Sequence, residues 1–135
     1  MTTALTTAVI CTAILAAMLF LLGFNVSRTR GVTAKAGGSQ FPSDPGSRLL
    51  IAIRAHGNAA EYIPVLIVLF LLVGARSQAA VAIPLIIAAT AARVLHAYGM
   101  LTASSLASRT VFREGGAVGT YLFGLALAVA AAFTL

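Results

Sequence analysis

The sequence predicts an all-α integral membrane protein, a four-helix bundle forming a single domain over residues 1–135. Three observations carry that reading. The chain is 60% hydrophobic and only 9% charged, far too apolar for an ordinary soluble domain. It contains four apolar runs, at about residues 4–27, 49–75, 79–101 and 115–135. At ~1.5 Å per residue each can cross a hydrocarbon core of ~30 Å. The basic residues lie in the connections and near the segment ends. The net charge of +6 and pI near 10.8 therefore do not point to nucleic acid, which calls for a gathered basic tract or patch.

The first run is interrupted only by Thr6, Thr7, Thr12 and Asn25. No Lys or Arg precedes it, and it is longer than the apolar core of a signal peptide, so it is expected to be a spanning helix. Cys11 falls inside it and is expected to be a small packing or lipid-facing residue. A lone cysteine builds neither a disulfide framework nor a metal cluster. Residues 28–47 are expected to form a basic loop, with Gly31, Gly37, Gly38, Pro42, Pro45 and Gly46 as helix breakers.

The second run is polar in its first half and purely apolar from Ile63 to Gly74, and Pro64 is expected to kink it without breaking it. A short turn with Arg76, Ser77 and Gln78 leads to the third run, which carries Pro84 early and Arg93, His96 and Tyr98 late. Residues 102–114 are expected to form a polar connection holding Arg109, Arg113 and Glu114. The fourth run is rich in Gly115, Gly116, Gly119, Thr120 and Gly124, small residues that suit close helix packing.

Loop charge sets the expected orientation. The first and third connections hold Arg28, Arg30, Lys35, Arg48, Arg109 and Arg113, whereas the second holds only Arg76. The positive-inside rule places the first and third in the cytoplasm and both termini outside, as in a multi-pass protein of a bacterial inner membrane. Arg54 then lies ~10 Å and Glu61 ~20 Å from the cytoplasmic face. Arg93, His96 and Tyr98 fall in the same half of the third helix.

Polar groups at that depth are expensive; an ionised side chain at the centre of a span costs ~2.5–3.5 kcal/mol on insertion scales. Arg54, Asn58, Glu61 and Tyr62 are spaced i, i+4, i+7 and i+8, and so form one stripe. His56 falls off it. One reading is a buried ion-pair network, Arg54 with Glu61 or Glu61 with Arg93, that fixes helix packing. Another is a site for a small zwitterion. Arginine grips carboxylate bidentately, a carboxylate takes an ammonium, and Asn and Tyr supply oriented hydrogen bonds. A proton or cation path around Glu61 is a third. His96 reads as a packing histidine, and His56 and His96 give no metal site.

The stretch Arg54-x-x-x-Asn58-x-x-Glu61-Tyr62-x-Pro64 resembles the second-helix signature of the membrane-associated proteins in eicosanoid and glutathione metabolism, the MAPEG family. That family includes microsomal glutathione transferases, leukotriene C synthase and microsomal prostaglandin E synthase. Arg93-Val-Leu-His96-Ala-Tyr98 resembles the family's third-helix motif, and the wording of both is most similar to the small bacterial branch. The resemblance implies a homotrimer with glutathione bound between neighbouring subunits near the cytoplasmic face. It implies that Arg54, Asn58, Glu61 and Tyr62, with Arg93 and Tyr98, contact glutathione, joined by Arg30 or Arg28 from the end of the first helix. It implies a thiolate-stabilising arginine at the start of the fourth helix: Arg113 first, since Arg113-x-x-Gly116-x-x-x-Thr120 resembles the bacterial pattern, and Arg109 second.

The expected function is a detoxifying glutathione transferase or peroxidase that joins the thiolate to lipophilic electrophiles taken from the membrane. Two alternatives stand beside it. One is a non-catalytic trimer that binds glutathione or another small anion. The other is a small proton-coupled exporter working through Glu61.

Overall fold

The computed structural model describes residues 1–134. Its four helices are α1 (Thr3–Lys35), α2 (Arg48–Arg76), α3 (Ala79–Thr102) and α4 (Val111–Ala132). All four are long and apolar enough to cross a membrane. Helices α2 and α3 form the middle of the bundle. Helix α1 packs on both from one side and α4 on both from the other, so α1 and α4 do not touch.

Two helix ends differ from the sequence reading. Helix α1 does not stop at residue 27 but continues through Arg28, Arg30 and Gly31 to Lys35, which shortens the first loop from 28–47 to 36–47. Leaving the apolar layer does not end a helix whose backbone bonds are all internal, and Gly31 is tolerated at a cost of ~1 kcal/mol. The stop is Gly37, in the left-handed region at φ 71°. The Gly37 amide donates to the Ala34 carbonyl and the Gly38 amide to that of Thr33, the paired bonds of a Schellman cap. Helix α4 starts at Val111 rather than 115, because the Thr110 hydroxyl accepts from the Arg113 amide and caps the helix there. The third connection is therefore 103–110, and Arg113 and Glu114 stand on the first turn of α4. Helices α2 and α3 run unbroken through Pro64 and Pro84.

Both longer connections lie at one end of the bundle, here called the basic end, and are tied together where the Leu106 amide donates to the Pro45 carbonyl. The core is a seam of Leu15, Ile63, Phe70, Ile86 and Leu127, all fully buried. Outside it, Phe20, Leu21, Phe24, Leu122 and Leu125 are exposed, as suits a surface that meets lipid rather than water.

The α3–α4 crossing is the tightest in the fold. A Cβ on Gly116 would run into the backbone of His96, and one on Gly99 into the backbone of Arg113. The two glycines are reciprocal, each admitting the other helix. Gly115, grouped with the packing glycines on sequence alone, faces open space.

Candidate functional site

The polar stripe of α2 borders the seam between α2 and α4. Ala55, Ala59, Ile63 and Leu66 fill the buried face of the helix. Asn58 and Tyr62 sit half-buried at its edge, and Arg54 and Glu61 are exposed. The stripe thus grades from the core outward within two turns of one helix.

Behind the stripe is Arg93 of α3, 1% exposed and the largest of the fully buried side chains. One guanidinium nitrogen, Nη2, donates to Asn58 Oδ1 at 2.8 Å, and Nη1 donates to Thr120 Oγ1 on α4 at 3.4 Å. The Thr120 hydroxyl in turn donates a hydrogen bond to the Gly116 carbonyl at 2.7 Å. The guanidinium carbon lies 5.3 Å from the centroid of the Tyr62 ring, within reach of a cation–π attraction. Nε of Arg93 has no partner. One cation therefore holds three helices in register and fixes the two half-buried members of the stripe.

No carboxylate neutralises it. Among the described residues the one ion pair is Arg109 with Glu114. Neither Arg54 with Glu61 nor Glu61 with Arg93 forms the pair that a structural reading of the stripe requires. Glu61 and Arg54 instead point out of the chain, part-way along an apolar helix, with no ionic partner.

The two candidate arginines of α4 are held differently. Arg109 is fully exposed in the connection, and the hydrogen bond from its Nε to Glu114 raises its pKa above the ordinary guanidinium value. It stays charged and committed to that carboxylate. Arg113 is half-buried, and its Nη1 donates to the Leu106 carbonyl at 3.0 Å. Its own carbonyl accepts from Nδ1 of His96 at 2.8 Å, which makes Nδ1 the protonated nitrogen. His96 therefore packs the first turn of α4 against α3.

The remaining candidates lie on other faces. Tyr98 stacks edge-on against Phe112 at 5.4 Å. With Cys11 and Thr90 it lines an apolar groove of about 750 Å³ between α1 and α3. His56 turns to α1, where its ring lies against Gly23. Arg30 donates to the Gln40 carbonyl at 3.2 Å. Arg28 enters a separate cavity shared with Arg48. Within one chain, then, Arg54, Asn58, Glu61, Tyr62 and Arg93 come together. Tyr98, Arg28 and Arg30 do not join them.

This geometry sits on the segment that carries the motifs, and the MAPEG family model matches residues 8–133. The chain belongs to the MAPEG family. Comparison with curated proteins and with solved structures gave no match. As a MAPEG protein with four helices able to span a bilayer, it is a multi-pass membrane protein. The family includes glutathione transferases and related proteins.

Two residues of α4 complete this MAPEG site: Tyr121, which lies outside the motifs, and Thr120, which the fourth-helix motif contains without a role assigned to it. Tyr121 on α4 brings its hydroxyl to 3.5 Å from that of Tyr62, with the rings tilted at 56° and 5.8 Å apart. Thr120 is buried at 3% exposure as a partner of Arg93. The available signal was a requirement rather than a motif: a buried arginine needs acceptors, and a polar side chain among the small residues of α4 is where one could come from.

Proposed function

We propose that this MAPEG protein binds glutathione on the outward stripe of α2, between neighbouring subunits of a homotrimer, and joins the glutathione thiolate to lipophilic electrophiles. The observation that carries this reading is the contrast between Arg93 and its neighbours. Arg93 is sunk in the chain with both terminal nitrogens bonded, while Arg54 and Glu61 project from an apolar helix with no ion-pair partner among the described residues. Left against lipid, that pair would cost several kcal/mol. A neighbouring subunit and a zwitterionic ligand together remove the cost.

The roles follow from charge and donor geometry. Arg54 takes a glutathione carboxylate through its two parallel N–H bonds. Glu61 takes the ammonium. Asn58 and Tyr62 contribute oriented polar contacts, held from behind by Arg93, which acts through them. From the neighbouring α1 we assign Arg30, because Arg28 is turned into the cavity it shares with Arg48.

Arg113 stands at the start of α4, and its guanidinium lowers the free energy of the thiolate relative to the thiol. A free thiol has a pKa of ~8.5 and is mostly unreactive at neutral pH. Once ionised, the sulfur attacks the electrophilic carbon. A carbon–sulfur bond forms, and the leaving group departs with its electron pair. A site at the membrane boundary suits a water-soluble thiol meeting a bilayer-dissolved partner.

A second reading, binding without turnover, is favoured by one observation: Arg113 already donates to the Leu106 carbonyl, and Arg109 to Glu114. The test is conjugation of glutathione to chlorodinitrobenzene by the purified protein, followed by chloride release. Release that Arg113→Ala abolishes supports the enzyme. Saturable binding with no release supports the binding protein.

A further inference from the structure

The basic end of the bundle holds a second polar site that the glutathione reading does not use. A cavity of about 490 Å³ opens between the last turns of α1 and the first turn of α2, and the end of α3 closes it with Leu101. Arg28 and Arg48 line it together with Asn25. Ile51 and Ala52, each 2% exposed, form its buried wall.

Three features define the ligand. The first is charge. Two guanidinium groups share the cavity and no carboxylate lines it. Asp44, the acid of the adjoining loop, is occupied in accepting from the Gly46 amide at 3.0 Å. Neither Arg28 nor Arg48 belongs to an ion pair among the described residues. The second is depth. Arg28 follows directly on the apolar run of α1, and Arg48 immediately precedes that of α2. Both stand where hydrocarbon gives way to headgroups. The third is the mixed lining. A site for a free inorganic anion has no use for Ile51, Ala52 and Leu101, whereas a glycerol backbone with its first acyl carbons does.

We propose that this cavity is a phosphate-binding site for an anionic phospholipid, its phosphate held between Arg28 and Arg48 and its upper acyl chain against Ile51 and Leu101. Guanidinium matches phosphate oxygens in paired geometry, and basic pockets between spanning helices suit anionic headgroups. The position has a structural consequence. The bound lipid clamps the extended end of α1 to the start of α2, at the foot of the stripe that begins with Arg54.

The test is native mass spectrometry of the full chain purified in detergent, challenged with phosphatidylglycerol and phosphatidylcholine of identical acyl chains. The wild type is expected to retain phosphatidylglycerol about tenfold better than phosphatidylcholine, a ratio set by two arginines near the lipid surface. Arg28→Gln with Arg48→Gln is expected to lose that preference. Lys35→Gln with Arg76→Gln removes the same charge outside the cavity and is expected to keep it. Excess inorganic phosphate is expected to leave the lipid in place, and displacement by phosphate alone would overturn the lipid assignment. Equal retention of the two lipids by the wild type, or a preference that survives in the Arg28, Arg48 variant, would overturn the site. Both arginines are exposed, so the substitutions spare the core. Should the double variant fail to fold, Arg28→Gln and Arg48→Gln singly are each expected to show a partial loss, and wild-type retention by both would reject the proposal.

Discussion

Arg93 lies under Tyr62, its guanidinium carbon 5.3 Å from the ring centroid, and this contact joins the core of the bundle to its outer stripe. The same guanidinium bonds Asn58 on α2 and Thr120 on α4. Asn58 and Tyr62 therefore owe their positions to a residue that stands behind them.

Arg93→Lys is expected to weaken glutathione binding by about tenfold or more, although the charge is kept. An ammonium on a flexible stem cannot bond Asn58 and Thr120 and keep the contact with the Tyr62 ring at once. Calorimetric titration of the Lys variant checks this, and wild-type affinity would show that charge alone suffices.

Glu61→Gln separates the ligand reading from an ion-pair reading. With no ion-pair partner for its carboxylate among the described residues, Glu61 is expected to destabilise the ligand-free protein. The Gln variant is expected to melt at a higher temperature without glutathione, and to gain less when glutathione is added. A structural ion pair with a neighbouring subunit gives the opposite sign, a lower melting temperature without ligand.

Adjacent glycines of α4 are expected to respond oppositely. Gly116→Ala drives a methyl group into the His96 backbone and is expected to destabilise the protein by ~1–3 kcal/mol. Gly115→Ala meets nothing within 4 Å and is expected to stabilise by ~0.5–1 kcal/mol through helix propensity. Thermal melts of the two variants in detergent decide it.

Arg113→Ala is expected to remove the ultraviolet absorbance of bound glutathione thiolate while leaving binding within about twofold, since one guanidinium chiefly shifts the thiol equilibrium. Arg109→Ala is expected to change neither, because that side chain is exposed and paired with Glu114. Loss of the thiolate signal in the Arg109 variant instead would reverse the assignment.

The fold was legible because unbroken apolar runs of bilayer length admit little besides spanning helices. Their ends were less so. Residues 28–35 look like a loop by charge and by Gly31, yet a helix needs no apolar surroundings to continue, and only Gly37 supplies the backbone conformation that stops it. The stripe Arg54, Asn58, Glu61 and Tyr62 was legible from helical phase, since spacing fixes which side chains of one helix share a face. What crosses between helices was not. Spacing within α3 does not say that Arg93 is sunk beneath the stripe. The pairing of Tyr62 with Tyr121 depends on the register of α4 against α2. That Gly116 packs while Gly115 does not depends on where α3 and α4 cross.

The most direct test is isothermal titration of glutathione into the detergent-solubilised protein and into Arg54→Ala. Saturable binding to the wild type is expected. In Arg54→Ala it should be weakened at least about tenfold, in keeping with the ~1.5–3 kcal/mol of a hydrogen bond to a charged group. Absence of heat in the wild type, or undiminished affinity in Arg54→Ala, would contradict the assignment of the α2 stripe as the glutathione site.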